Sequence, residues 1–152
     1  QAAVIHVYDQ LRLDTVPRRY TVGPKAWVED SWPAGPHDLW VLGPNGLHRR
    51  FAGTATGVEV TARPDGGAMV LTLSNTGPAP RIVSVEGAAP WRVTLAPGET
   101  QAPAFATQQG WYDLTVRRDD DPTWVRRLAG RVETGKDSIS DPWMGEAAIL
   151  SL

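Results

Sequence analysis

Three histidines, His6, His37 and His48, are the side chains from which a metal centre or a general base could be built. A metal-dependent hydrolase needs several Asp, His and Asn ligands and a nucleophile converging on one pocket. None of the three stands at a ligand spacing such as His-x-Glu-x-x-His. His6 lies in the run Val4-Ile5-His6-Val7-Tyr8 and reads as an exposed strand residue. His37 shares a face with Leu39 and Val41 and reads as a core-edge histidine, while His48 lies beside a turn. No Gly-x-Ser-x-Gly elbow occurs. The chain has no Cys, so thiol nucleophiles, zinc–thiolate sites and disulfides are excluded. The acidic run Asp119-Asp120-Asp121-Pro122 offers the oxygens that calcium takes. It lies between two β segments and ends in Pro, so a solvated hairpin turn is expected. No catalytic residue, metal ligand or cofactor site is expected anywhere in the chain.

Two other sets remain. The first is ionic: Asp38 precedes Arg49-Arg50, and Asp113 precedes Arg126-Arg127. In the strand after Asp113, Trp124, Arg126 and Leu128 share a face, and an Arg among apolar neighbours needs a partner. Structural ion pairs are therefore expected, Asp38 with Arg49 or Arg50 and Asp113 with Arg126 or Arg127. The second set is aromatic. The chain has seven Trp, at positions 27, 32, 40, 91, 111, 124 and 143. Some must be core, and an exposed one could bind sugar or a choline headgroup through its ring face. Trp40 and Trp32 are the candidate ligand contacts. Trp40 is the first candidate for exposure, because its counterpart in the repeat described below is Thr115.

The elements that must position these residues are strands. The chain of 152 residues holds 15 Gly and 13 Pro, so closely spaced that few windows could carry a helix of three turns. Between the breaks, side chains alternate: Val58-Glu59-Val60-Thr61-Ala62, Met69-Val70-Leu71-Thr72-Leu73, Arg81-Ile82-Val83-Ser84-Val85 and Trp91-Arg92-Val93-Thr94-Leu95. Short strands at this spacing predict an all-β, antiparallel, immunoglobulin-like sandwich. Pro64-Asp65-Gly66-Gly67 and Asn75-Thr76-Gly77-Pro78 read as turns. The segment 24–31 is too short for a stable helix, and a strand is expected there.

The sequence also repeats. His37-Asp38-Leu39-Trp40-Val41 matches Tyr112-Asp113-Leu114-Thr115-Val116 at an offset of 75, and Arg49-Arg50-Phe51-Ala52-Gly53 matches Arg126-Arg127-Leu128-Ala129-Gly130 at an offset of 77. Tyr20-Thr21-Val22-Gly23-Pro24 matches Val93-Thr94-Leu95-Ala96-Pro97 more loosely, at 73. The expected organisation is a partial first unit over 1–55, a complete second unit over 56–135 and a tail over 136–152. The hairpin over 58–74 has no counterpart in the first unit, which is expected to lack its first two strands. The chain as read then starts inside a domain, or a larger precursor was cut. An incomplete sandwich exposes unpaired edges, so a strand-pairing homodimer through the first unit is an expected partner mode. The end of the tail, 146–152, could add a strand over such an edge.

Several segments together resemble a known family: Trp111-Tyr112-Asp113-Leu114, Arg126-Arg127-Leu128-Ala129-Gly130, Val132-Glu133-Thr134-Gly135 and Ser138-Ile139-Ser140-Asp141-Pro142-Trp143-Met144-Gly145. The first unit repeats the pattern with Val7-Tyr8-Asp9, Arg19-Tyr20-Thr21-Val22 and Gly43-Pro44-Asn45-Gly46 ahead of Arg49-Arg50-Phe51-Ala52-Gly53. The chain resembles the tandem C-terminal domains of bacterial secreted, phosphocholine-preferring phospholipases C. It departs from them in the short first repeat and at His37, where an aromatic such as Tyr112 is more usual. The resemblance implies a secreted or periplasmic parent enzyme, exported folded through the twin-arginine route. Its separate N-terminal catalytic domain would be a metal-dependent phosphodiesterase and a partner of this region. The repeats themselves would carry no catalytic residues.

The leading expectation is thus a non-catalytic accessory region of a phospholipase C, which positions the catalytic domain or engages a phospholipid surface or a partner. The alternative is a carbohydrate- or surface-binding module of another secreted hydrolase. An enzyme in its own right and a purely architectural module are the remaining readings. The formal net charge of -2, from 15 basic and 17 acidic residues, argues against nucleic acid as a partner. No apolar run approaches the ~18–20 residues of a helical membrane span.

Overall fold

A computed structural model describes residues 2–54, 57–132 and 139. The expected tail over 136–152, with Trp143 and the strand at 146–152, lies outside the described residues apart from Ile139. Among the described residues every regular element is a strand, in two antiparallel sheets.

The first unit supplies β1 (Ala3–Asp9), β2 (Arg18–Val22), β3 (His37–Leu42) and β4 (His48–Gly53). The second supplies β5 (Val58–Asp65), β6 (Ala68–Asn75), β7 (Arg81–Glu86), β8 (Trp91–Leu95), β9 (Thr100–Gln101), β10 (Ala104–Ala106), β11 (Trp111–Arg118) and β12 (Asp121–Arg131). The larger sheet runs β2-β1-β3-β4-β12-β11-β7-β8. This order is a palindrome of the repeat. β1, β2, β3 and β4 stand to β4 as β7, β8, β11 and β12 stand to β12, so a pseudo-twofold axis passes through the β4–β12 pair. The smaller sheet is β5, β6 and β10, with β9 also on β6.

The turn residues explain the hairpins. Gly66, at φ 59°, closes β5 onto β6 in a conformation that glycine adopts without strain. Asn45 and Gly46, at φ 55° and 67°, are the two left-handed residues of the β3–β4 turn. Asn75 is fully buried at the end of β6. Its amide donates to the Ala79 and Leu95 carbonyls and its oxygen accepts from the Gly77 N–H, which fixes the turn into β7.

The core belongs to the second unit. Leu71, Leu73 and Met69 of β6 and Val58 of β5 pack onto Val83, Val85, Leu114 and Val116, with Leu95, Phe105 and Trp124 closing the ends. Among the described residues the first unit presents the same sheet face without a second sheet over it. The strand expected over 24–31 does not form: residues 23–36 are irregular throughout. Their counterparts in the second unit hold β9 and β10, which exist as strands because β6 is beside them to pair with. Among the described residues the first unit has no such strand, so alternation alone is not enough.

Candidate functional site

The residues singled out by type converge on the seam between β4 and β12. There Arg50 lies directly opposite Arg127, with Phe51 opposite Arg126 and Arg49 opposite Leu128. Arg50 and Arg127 are each other's counterparts in the repeat, so the pseudo-twofold passes between them. Like charges directly opposite on a sheet repel. Each is neutralised by its own unit. Arg50 donates to both oxygens of Asp38 at 2.9 and 2.8 Å, and Arg127 to both oxygens of Asp113 at 2.9 and 2.6 Å. These forked bonds raise the pKa of both guanidinium groups. All four side chains are only partly buried, which holds each pair to roughly 0–1 kcal/mol of stability.

The other two arginines do not meet a carboxylate, because successive side chains in a strand point to opposite faces. Arg49 and Arg126 lie on the far face, turned away from Asp38 and Asp113. Arg126 donates to the Ala52 and Val125 carbonyls at 2.6 and 2.9 Å and reaches Thr54 O at 3.4 Å. Arg49 makes the symmetric contacts, to the Ala129 and His48 carbonyls at 2.7 and 2.9 Å, and adds the Tyr112 hydroxyl. Each arginine thus clasps a carbonyl of the other unit's strand. Arg126 is buried beside the Trp124 ring, 4.5 Å from its centroid. Burial, with some repulsion from Arg118, pushes its pKa down to about 10, so it is still a cation at neutral pH. The glycines that end the two motifs continue the symmetry. Gly53 abuts the Trp124 backbone and Gly130 abuts Leu47.

His48 sits on the Asp38 face, with its ring against Trp40 at a centroid distance of 5.3 Å. Its pKa is lowered, first by burial and then by Arg127, with Arg49 and Arg50 adding to the effect and Asp113 opposing it. A base whose folded pKa is depressed takes up protons more readily when unfolded. Stability is therefore full above the unfolded value of about 6.5 and falls as pH drops below it. Thermal melts between about pH 7 and pH 5 should show this loss, and His48→Gln should flatten the slope in that window. An unchanged slope would place the sensitivity elsewhere.

Trp40 is half-buried rather than exposed: His48 packs on its ring and the Arg50 guanidinium lies 5.9 Å from it. Trp32 is also half-buried, with the Arg18 guanidinium 4.1 Å from its ring centroid. Asp30 holds that arginine and the Tyr20 hydroxyl, and its pKa falls to about 2 through those bonds. The cation facing Trp32 is thus the protein's own. His6 is half-buried, not exposed, and tilts toward Tyr8. His37 faces the Gly35 carbonyl. The acidic turn is held by arginines: Asp120 by Arg118 and Arg81, and Asp119 by Arg92. Among the described residues no group of three or more His, Asp or Glu is placed to hold a metal ion.

The spacing of motifs missed the exposed apolar residues. Trp27 is 80% exposed and Val28 beside it 49%. In the β1–β2 loop, Leu11, Leu13 and Val16 are 59%, 72% and 90% exposed. The signal for Trp27 was its place between Pro24 and Pro33, in the one stretch where the first unit has no strand to match β9 and β10.

A family model described as bacterial phospholipase C, C-terminal domain, matches residues 1–54 and again 56–131. The non-hemolytic phospholipase C of Pseudomonas aeruginosa is 30% identical over 164 residues, covering 94% of this chain and 24% of that protein. The non-hemolytic phospholipase C of Burkholderia pseudomallei is 35% identical over 155 residues, covering 90% of this chain and 22% of that protein. The hemolytic phospholipase C of Pseudomonas aeruginosa is 34% identical over 130 residues, covering 75% and 18%. The chain spans about a quarter of the length of these relatives, or less.

Proposed function

This chain belongs to the bacterial phospholipase C C-terminal domain family, and we propose that it is a non-catalytic accessory region that brings a secreted phospholipase C to its phospholipid surface. The observation that carries this reading is the distribution of exposed apolar side chains. Of the nine large ones among the described residues, seven lie in the first unit, at positions 11, 13, 16, 27, 28, 42 and 51. Five of these seven are in its two longest loops. Apolar loops of this kind insert shallowly into an interface, where a Trp ring has both apolar and polar surroundings to satisfy. The second unit, with its closed core, is joined to the first through the β4–β12 seam and is the base that presents them.

Co-sedimentation with phosphatidylcholine vesicles tests the proposal. The chain should pellet with the vesicles and its Trp emission should shift to the blue. The double variant Trp27→Ala/Leu13→Ala should lose most of that binding while melting at an unchanged temperature, because neither side chain is packed. Absence of binding by the parent chain overturns the lipid reading and leaves contact with the catalytic domain as the use of these loops.

A further inference from the structure

The chain has two asparagines, Asn45 and Asn75, in opposite surroundings. Asn75 is fully buried, its amide nitrogen donates to the Ala79 and Leu95 carbonyls, and the next residue is Thr76. Asn45 is exposed at the tip of the β3–β4 turn, and the next residue is Gly46. Two backbone bonds span the peptide link between them. The Leu47 N–H donates to the Pro44 carbonyl at 3.1 Å, and the Gly43 N–H donates to the Leu47 carbonyl at 2.9 Å. The Gly46 N–H serves in neither bond, and a glycine has no Cβ to shield its nitrogen. The turn also meets the second unit: a Cβ added to Gly46 would stand 2.8 Å from the Trp111 ring.

We propose that Asn45 is a site of spontaneous deamidation, which loosens the turn where the first unit touches Trp111. The Gly46 nitrogen attacks the side-chain carbonyl carbon of Asn45 and gives up its proton, and the side-chain nitrogen leaves as ammonia. The product is a five-membered succinimide, which water then opens. Water adding at the side-chain carbonyl leaves aspartate. Water adding at the main-chain carbonyl leaves isoaspartate, whose backbone runs through the former side chain. No oxidant or reductant is needed, and either product adds one negative charge. Aspartate tolerates the left-handed conformation as asparagine does. Isoaspartate lengthens the backbone by one atom inside the loop that both hydrogen bonds close, so the two-residue turn no longer holds β3 and β4 in register. Burial and a β-branched neighbour protect Asn75; exposure and a glycine neighbour open Asn45 to attack.

The full chain is held folded in mildly alkaline buffer, well below its melting temperature, and then digested. Mass spectrometry should find the amide-to-acid gain at Asn45 and none at Asn75. An isoaspartyl methyltransferase should label the peptide that contains position 45. The aged chain should melt roughly 2–4 °C below the fresh chain, the shift that a modest local loss produces in a chain of this length. Asn45→Gly retains a residue suited to a positive φ, and it should neither gain mass at position 45 nor lose melting temperature on ageing. Asn45→Asp should melt with the fresh chain, which assigns the loss to the lengthened backbone rather than to the charge. An Asn45 amide that survives in the folded chain, under conditions where the urea-unfolded chain loses it, would overturn the proposal. Equal conversion at Asn75 would overturn its structural basis, and an unchanged melt after conversion would overturn the loosening of the turn.

Discussion

Arg126→Ala should destabilise the chain by about 3 kcal/mol, the largest loss expected from any arginine in it. The guanidinium is buried, and it donates to the Ala52 carbonyl of β4 and the Val125 carbonyl of β12. Its removal strands those carbonyls, at about 1–3 kcal/mol, and opens a gap between Trp124 and Phe51. Arg127→Ala is the control one residue away. It has two good bonds to Asp113, but both partners reach solvent, so its cost should stay near 1 kcal/mol. Urea unfolding of the two variants decides the matter. Equal losses would mean that the face on which an arginine lies is unimportant.

The second large effect is expected at Gly53. A Cβ built there would stand 2.8 Å from the Trp124 Cα and 3.2 Å from the Thr123 carbonyl, both backbone atoms that cannot rotate away. The residue also holds φ at +88°, where an L side chain is strained. Gly53→Ala should therefore cost about 3 kcal/mol, part strain and part overpacking. It should also push β4 away from β12, exposing amides of both strands to exchange. Gly66→Ala separates the two contributions. Gly66 has a positive φ of 59° but nothing within 4 Å of its added Cβ, so only about 1 kcal/mol of strain applies. Comparable losses at the two sites would show that the close approach of the strands carries no energy.

The strands over 58–131 and the hairpin turn at Gly66 were legible because each rests on local features: alternation, Gly and Pro. The Asp38–Arg50 and Asp113–Arg127 arrangement was half legible. Recurrence of both charges marked them as partners, but only strict alternation along the strand tells which of two successive arginines faces the Asp. The seam was not legible. That β4 bonds to β12 is a pairing between residues some 75 apart, and nothing near either strand specifies it. Segment 24–31 failed for a related reason: its residues tolerate a strand, but a strand needs a neighbour. Trp40 was misjudged because a Thr counterpart speaks only to the sheet position, whereas His48 and Arg50 arrive from the adjacent strand to cover the ring.

The joining of β4 to β12 also orders events in time. β12 is the last of the twelve strands among the described residues. A ribosome releases β1 to β4 before β12, so the strand against which they lie is not made until β5 to β11 have emerged. During that interval the first unit has no partner on the β12 side of β4, and its apolar face is available to whatever chaperone or nascent chain is near. Synthesis that slows after residue 54 prolongs the hazard, and a C-terminal truncation that removes β12 makes it permanent.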